Sequence, residues 1–408
     1  MISFDESLNI INSINTSVSL KAEKISVANA TDRVLYDDAI SDVDYPVCDN
    51  SAMDGYAVNS DLTKEINSSQ LKLAIYKKVV YAGDASANYK YKKPDNKNFA
   101  VRIMTGGYMP ETFDAVIPIE DAIVENNNLI VNVPVKPGKN VRNRGEVIKK
   151  GEVILKKNTR LTSENISLLV SCNITKINVY EKIQVSVIST GNEIIGLDKK
   201  PAYGKIYNSN GILAENFLMQ NGCAVVNNAI CKDNLEEIVE VLTQAVKTSK
   251  IIITSAGASF GDKDFTEKAL EAVGFKIKFR QVAIKPAKPF SFGLINKKIP
   301  VFMLPGNPVA FYTCLEVYVK PFINGHIKIN SRMHTIKSVS SFEYTKKNKR
   351  REFIPANTFY KDGTIYSEIF EKSGPATINV FGIMNSIISV PEDADVIHKG
   401  ELLDTYLI

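Results

Sequence analysis

The stretch that most constrains the fold is KIIITSAGASFGDKDFT, residues 250–266. Residues 251–254 form a short apolar or β-branched run, which is typical of a strand buried on both faces of a parallel sheet. Small residues follow this run, and a helical pattern begins just after them. Because open α/β sheets bind ligands where their strands end and helices begin, the stretch predicts a ligand-binding α/β domain.

The small residues Gly257, Ser259 and Gly261 would let the backbone approach a ligand closely. Asp264 follows them and supports two interpretations. With Glu267 it forms a D-x-x-E capping box, which can be purely structural. A carboxylate that starts a helix beside a ligand crevice can also bind the ligand, and the sequence leaves both interpretations open.

The chain has 408 residues, too many for one hydrophobic core, so several domains are expected. A hydrophobic fraction of 44% and a net charge of +5 are ordinary for a soluble globular protein, and no basic block indicates nucleic-acid binding. The five cysteines lack C-x-x-C spacing, the N-terminus lacks a basic signal region, and no apolar run is long enough for a membrane span. We therefore expect a reduced, cytoplasmic protein that binds neither nucleic acid nor membrane.

The order of patterns predicts a multidomain α/β plus β architecture. A small β domain at 44–140 interrupts a split domain at 1–43 and 141–179. Strands alternate with helices at 180–326, which indicates a parallel sheet, with one strand expected at 280–284. Short β segments at 327–408 predict a small antiparallel barrel. Helix N-caps are expected at Ser3, Ser163, Ser209 or Asn210, Asp233 and Asn307.

Two loops outside the α/β region have functional character. Residues 41–60 are polar and rich in turn signals, and the clustering of Asp49, Asn50, Ser51 and Asp54 favours a functional loop over an ordinary one. Residues 104–110 form a glycine turn that should expose the hydroxyl of Thr105.

The loops at the carboxyl ends of the predicted parallel strands should meet at one edge of the sheet. They bring together seven elements: Glu193, Asp233, Asp262, Asp264, Lys285, Lys288 and the helix start at 306–307. Carboxylates, lysines and a free helix N-terminus suit a phosphorylated ligand held through Mg²⁺. No histidine lies in these loops, so we expect metal-assisted, electrostatic chemistry rather than covalent catalysis.

Lys285 and Lys288 each precede a proline, which disfavours helix and favours polyproline II. At three residues per turn the two ammonium groups would project on one side, roughly 9 Å apart. That spacing predicts an oxyanion clamp, with an ordinary solvated lysine pair as the alternative.

Seven motifs then follow one another along the chain: DNSAMDGYAV at 49–58, MTG at 104–106, STGNE at 189–193, IYNSN at 206–210, GASFGDKD at 257–264, AIKPAKP at 283–289 and LPGNP at 304–308. In sequence and order they resemble the molybdopterin molybdenumtransferase family, the molybdenum insertases of molybdenum-cofactor biosynthesis, which are related to the gephyrin E domain. The resemblance covers nearly the whole chain.

The resemblance implies that the split domain is elongated, that the α/β domain binds molybdopterin, and that a homodimer shares its active sites between subunits. It implies a reaction in which adenylylated molybdopterin and molybdate give molybdenum cofactor and AMP with help from Mg²⁺, downstream of a molybdopterin adenylyltransferase partner. The implied catalytic residues are Asp54, Thr105, Glu193, Asp233, Asp264, Lys285 and Lys288, of which Glu193, Asp233 and Asp264 would hold the metal. The implied substrate-binding residues are Ser51, Ser189, Thr190, Gly257, Ser259, Gly261, Pro305, Gly306, Asn307, Pro308, Arg351 and Ser373.

Two other functions fit part of the sequence. A molybdopterin adenylyltransferase has a single domain that resembles residues 180–325, and the flanking regions argue against it. A molybdopterin-binding scaffold or low-activity paralogue would fit the departures from the family pattern. The family usually has an acid at Val147, aspartate at Asn192, glycine at Ala256 and Ala287, and serine at Ala310.

Overall fold

The structure is a computed structural model that describes residues 1–14, 18, 20–64, 66, 70–84, 98–255, 265–327, 335–370 and 377–408. Six candidate residues lie outside this part of the chain: Gly257, Ser259, Gly261, Asp262, Asp264 and Ser373. Ala256 lies outside it as well. Within the described residues, no helix is long and apolar enough to cross a membrane.

The two halves of the split domain share one core. Strand Ala22–Ser26 pairs antiparallel with Lys176–Tyr180, and Ala39–Ile40 pairs with Val153–Leu155. Helix Ser163–Ser171 covers these pairs, and the buried residues come from both sides of the β domain. The first helix, Phe4–Ser13, is capped by Ser3 as expected, since the Ser3 hydroxyl accepts the Glu6 N–H at 3.1 Å. Its buried side chains join the core of the α/β domain instead.

The inserted β domain is one six-stranded sheet with buried residues on both faces. Its strands in spatial order are Ala115–Pro118, Gly55–Val58, Phe99–Ile103, Leu71–Val80, Asn128–Val131 and Ile123–Glu125. The expected asparagine hairpin joins the last two strands, with Asn126 and Asn127 at φ 48° and 63°. Gly55 is required where two strands approach closely, because a Cβ there would lie 2.1 Å from the Ile117 carbonyl oxygen.

The α/β domain has a six-stranded sheet. Its spatial order is Cys223–Cys231, Ile183–Thr190, Ile251–Ser255, Ile299–Leu304, Ser291–Ile295 and Phe275–Arg280. The first four strands are parallel, with every residue of Ile251–Ser255 buried, as expected. The last two are antiparallel, so the prediction of a parallel sheet is correct for only part of it.

The expected strand at 280–284 is wrong. Strand Phe275–Arg280 ends where that strand should begin, and a second strand, Ser291–Ile295, returns along it. The chain then turns at Asn296 and Lys297, which have φ of 50° and 57°, and Ile299–Leu304 follows. This tight turn makes an antiparallel hairpin where a parallel sheet was expected.

Helices cover both faces of this sheet. Ser209–Gln220 and the continuous run Pro308–Cys314, Leu315–Val319 and Lys320–Ile327 pack on one face, and Leu235–Thr248 and Phe265–Ala272 pack on the other. The middle segment of the continuous run is a π-helix.

Asn307 is the N-cap of Pro308–Cys314, with proline at N1, as expected. Three other predicted caps are displaced by one or two residues: Ser163 and Ser209 or Asn210 were predicted too late, and Asp233 was predicted one residue too early. The caps are Thr162, Asn208 and Asn234, because neighbouring Ser, Thr, Asn and Asp residues are nearly equivalent caps in sequence. Asp233 is therefore free of a capping role.

The C-terminal strands close into a barrel, as predicted. Strand Arg351–Lys361 pairs antiparallel with both Thr364–Ile369 and Ser386–Val390, and Leu402–Leu407 and Thr335–Ser340 complete the ring. One pair, Thr335–Ser340 with Thr364–Ile369, is parallel rather than antiparallel. A chain of buried and half-buried hydroxyls links these strands. Its members are Thr405, Ser338, Ser367, Thr358 and Ser386, with successive oxygen–oxygen distances of 2.7, 2.7, 2.6 and 2.7 Å.

Short elements complete the fold. They are the strand pairs Asn50–Ser51 with Val141–Arg142, Ile194–Ile195 with Ile206–Tyr207, and Tyr344–Thr345 with Val396–Ile397, and the 3₁₀ turns Val27–Asn29, Ser60–Thr63, Ile119–Asp121 and Ile378–Gly382.

Candidate active site

A cavity of about 490 Å³ lies at the carboxyl ends of the parallel strands, where the sequence predicts a site. Seven predicted residues line it: Ser189, Thr190, Glu193, Pro305, Gly306, Asn307 and Pro308. The IYNSN motif at 206–210 lines it too, together with Ser255 and Pro289, which the sequence analysis assigned no role. The cavity is therefore built from three strand ends and two helix starts of the α/β domain.

Asn210 is the most informative residue of the cavity. Its amide nitrogen donates to the Ser255 hydroxyl at 2.9 Å and to the Gly306 carbonyl at 2.8 Å. A carbonyl can only accept, so this contact fixes the orientation of the amide. The Asn210 Oδ1 atom then has no partner in the described part of the chain, although the residue is 93% buried.

The Ser189 hydroxyl is buried in the same cavity and likewise has no partner within the described ranges. Buried polar atoms are nearly always hydrogen-bonded in native proteins. Two such atoms in one cavity therefore point to a ligand with polar groups of its own. The signal for Asn210 was present in the IYNSN motif, but its orientation depends on Gly306, which is far away in sequence.

Thr190 connects this cavity to the GASFGDKD stretch. Its hydroxyl lies 3.1 Å from that of Thr266, in the first turn of helix Phe265–Ala272, and both residues are buried. Asp264 immediately precedes that helix in sequence. The end of strand Ile183–Thr190 therefore packs directly against the helix that Asp264 introduces.

Glu193 and Asp233 flank one turn at the rim of the cavity. The Asn192 N–H donates to Asp233 Oδ2 at 3.2 Å, and the Asp233 N–H donates to Asn192 Oδ1 at 3.3 Å. Glu193 follows Asn192 and lines the cavity. These are two of the three predicted Mg²⁺ ligands, and the described residues contain no group of three metal-ligating side chains. Oxygen donors from two carboxylates fit Mg²⁺, which usually binds one or two carboxylates together with substrate phosphates.

The predicted polyproline geometry of the lysine segment is wrong. Ala287 has φ +82°, far from the −75° of polyproline II, and the Lys285–Pro286 peptide is cis. Lys285 instead lies in the short strand Ile284–Lys285, and its ammonium group contacts Glu352 Oε1 at 3.1 Å. Lys288 is exposed. The oxyanion role of both lysines remains a prediction, without the spacing that suggested it.

The two arginines that begin the barrel have different surroundings. Arg351 contacts Asp5 at 3.2 Å and Glu392 at 3.1 Å, and its guanidinium lies 4.9 Å from the centre of the Phe4 ring. It therefore connects the barrel to the first helix. Arg350 donates to the Ile284 carbonyl at 3.1 Å, directly beside Lys285. The sequence indicated no site role for Arg350, because its partner Ile284 lies 66 residues away.

Asp54 and Thr105 form a second cluster in the inserted β domain. Asp54 Oδ1 accepts the Thr105 N–H and the Thr105 hydroxyl, both at 2.7 Å. These two bonds, the backbone one first, lower the pKa of Asp54. The Ser51 hydroxyl is buried and donates to the Met53 carbonyl at 2.5 Å, so it supports the turn of this loop. None of these three residues is among those that line the α/β cavity.

Comparisons with known proteins agree with this architecture. The family described as "MoeA N-terminal region (domain I and II)" matches residues 2–173, and that described as "Probable molybdopterin binding domain" matches residues 186–325. The fold and the cavity thus define a multidomain protein with a molybdopterin-binding type of α/β domain.

Full-length relatives identify the family. A molybdopterin molybdenumtransferase from Haemophilus influenzae is 35% identical over 306 residues, which cover 74% of this chain and 72% of the relative. One from Staphylococcus epidermidis is 30% identical over 96% of this chain and 92% of the relative. The chain belongs to the molybdopterin molybdenumtransferase family. A solved structure of a molybdopterin biosynthesis MoeA protein from Pyrococcus horikoshii covers the whole chain and 99% of its own, with a TM-score of 0.82 and 26% identity.

Proposed function

We propose that this protein inserts molybdenum from molybdate into adenylylated molybdopterin, which forms molybdenum cofactor and releases AMP. Membership of the family supports the reaction class. The observation that carries the proposal is the cavity with two buried polar atoms, Asn210 Oδ1 and Ser189 Oγ, that have no hydrogen-bond partner among the described residues. Its volume of about 490 Å³ is typical of small-molecule sites.

The floor of the cavity suits the pterin end of the substrate. A pterin presents N–H donors along one edge, and Asn210 offers an acceptor whose direction is fixed by Gly306. The Ser189 hydroxyl can donate or accept beside it. Pro305 and Pro308 are rigid residues that would shape the wall on either side of Gly306.

The rim suits the phosphates. Within the ranges that the structure describes, the Asn307 side chain makes no capping bond, so N–H groups in the first turn of the long helix are available to an anion. Glu193 and Asp233 would hold Mg²⁺, with Asp264 as the third ligand that the resemblance implies. When bound, Mg²⁺ would neutralise phosphate charge. Positive charge for molybdate comes from Lys285, Lys288 and Arg350. The carboxylates of Glu193 and Asp233 make the other end of the site negative.

The proposal includes a homodimer in which Asp54 and Thr105 of one subunit complete the cavity of the other. It is supported by the family resemblance and by the position of this cluster outside the residues that line the cavity. A cytoplasmic location, and supply of the substrate by a molybdopterin adenylyltransferase, belong to the same proposal.

The test is to incubate the purified protein with adenylylated molybdopterin, molybdate and Mg²⁺, and to measure cofactor and AMP together. An insertase forms both in equal amounts, and Asn210→Ala should weaken substrate binding. An adenylyltransferase would instead produce adenylylated molybdopterin from molybdopterin and ATP, and a scaffold would bind the substrate without turnover. Tungstate in a parallel reaction would measure metal selectivity, since both anions are tetrahedral and carry the same charge.

A further inference from the structure

We infer that Glu352 is a positioning residue for Lys285, so that the C-terminal barrel controls where a lysine in the neighbouring domain can reach. Glu352 is 1% exposed. Its carboxylate accepts from Lys285 Nζ at 3.1 Å, from Asn348 Nδ2 at 2.5 Å and from the Tyr344 hydroxyl at 2.5 Å. The oxyanion role of Lys285 rests on the proposed function, but its positioning by Glu352 does not.

The backbone of Lys285 is held by the same barrel strand. Strand Ile284–Lys285 runs parallel to the start of Arg351–Lys361, with Lys285 opposite Glu352 in register. The Arg351 N–H donates to the Ala283 carbonyl at 3.0 Å, and the Arg350 side chain donates to the Ile284 carbonyl at 3.1 Å. Both ends of Lys285, its main chain and its ammonium group, are therefore fixed from the barrel.

The burial of the two partners is unequal. The Glu352 side chain is 2% exposed, whereas the Lys285 side chain is 42% exposed. A buried carboxylate is costly unless it is paired, and Lys285 makes the one ion pair of Glu352 in the described part of the chain. The exposed ammonium group carries three N–H donors, so it can contact Glu352 and still present donors to an oxyanion.

The other groups around Glu352 have separate tasks. Burial, followed by the bond to Glu352, raises the pKa of Tyr344, which keeps the phenol a donor at neutral pH. Lys346 is 7% exposed and donates to the carbonyls of Pro391 and Glu392. It does not replace Lys285 as the ion-pair partner. Among the described residues of this cluster, the cation that faces outward is therefore Lys285.

Competitive acetylation of the intact protein, read by mass spectrometry of the Lys285 peptide, tests the positioning directly. Glu352→Gln should raise the acetylation rate of Lys285 several-fold, because loss of the charged partner frees the amine for reaction. Glu352→Asp should restore part of the protection. Glu368→Gln is the matched control, because Glu368 is an exposed barrel carboxylate whose contact is Asn357 rather than a lysine. An unchanged Lys285 rate in folded Glu352→Gln would overturn the inference.

Kinetics then separate positioning from function. Glu352→Gln should raise the half-saturating molybdate concentration about tenfold, as for loss of one charge-assisted hydrogen bond, and should add nothing in a Lys285→Met background. If acetylation changes but molybdate dependence does not, the oxyanion role of Lys285 fails while the positioning stands. If Glu352→Gln does not fold, Tyr344→Phe provides the same readouts with a smaller expected change, and no change in either would overturn the inference.

Discussion

Asn192 and Asp233 are joined by two reciprocal hydrogen bonds, each from the backbone N–H of one residue to the side chain of the other. This pair places the Asp233 carboxylate beside Glu193, although the two residues belong to different loops. No helix cap contributes to this placement. It is the reason that two predicted metal ligands, which lie far apart in sequence, flank one turn.

Asn192→Ala should therefore loosen Asp233. One of the two bonds is lost, and because the site is exposed we expect the free energy of unfolding to fall by about 1 kcal/mol or less. Mg²⁺-dependent activity should fall much more than stability. Asn192→Asp, which keeps the acceptor, is the matched control. If the activity of the wild type, Asn192→Ala and Asn192→Asp depends on Mg²⁺ concentration in the same way, the pair does not organise a metal site.

Thr105→Ala should raise the pKa of Asp54 toward its ordinary value, because the ionised carboxylate loses one of its two donors while the backbone bond remains. Thr105→Ser should leave the pKa nearly unchanged. An NMR titration of the Asp54 carboxyl measures this shift.

The stability contribution has a defined sign. The Asp54 carboxyl has a lower pKa in the folded protein than in the unfolded chain, so it stabilises the fold at pH values above the unfolded pKa. This contribution is lost as the pH falls through the folded pKa. Thr105→Ala should thus narrow the stability difference between neutral and acidic pH. If the stability of the wild type and of Thr105→Ala falls equally as the pH is lowered, the contact between Thr105 and Asp54 is contradicted.

Complementation between subunits tests the proposed shared site. Asp54→Ala and Asp264→Ala should each be nearly inactive as homodimers. In a purified heterodimer of the two, one site carries both changes and the other carries neither, so about half of the wild-type activity should return. If each site is built within one chain, the heterodimer stays inactive, and that result would rule out sharing.

The hydroxyl chain in the barrel should be strongly coupled. Ser367→Ala leaves the buried Ser338 hydroxyl and the half-buried Thr358 hydroxyl each short of one partner. We therefore expect the free energy of unfolding in denaturant to fall by about 1–3 kcal/mol. The double variant with Ser338→Ala should lose less free energy of unfolding than the two single variants lose together. The reason is that each single variant already removes the same bond between Ser338 and Ser367. Strict additivity would show that these hydroxyls act independently.

Val147 stands where the family usually has an acid, and its side chain is 61% exposed. Val147→Asp should therefore change the free energy of unfolding by no more than about 0.5 kcal/mol, as for other surface positions. Cofactor formation should be kept or raised. A large fall in turnover with unchanged unfolding would mean that the site has adapted to valine.

Much of the architecture is encoded locally. The apolar run of Ile251–Ser255, the hairpin turn at Asn126 and Asn127, and the start of a helix at Asn307 and Pro308 were all predicted correctly. In each case the signal lies within a few residues, because turn conformation, helix capping and strand burial depend on neighbouring side chains. The same locality made the family motifs sufficient to identify the family.

Tertiary structure decided the features whose partners are distant in sequence. Lys285 meets Glu352 across 67 residues, and Asn210 is oriented by Gly306 across 96. The proline spacing of the lysine segment predicted the wrong geometry, because pairing with a barrel strand overrides a local polyproline preference. Sequence determined which residues stand near a ligand edge, but packing within the α/β domain for Asn210, and against the barrel for Lys285, determined which atoms remain free to bind.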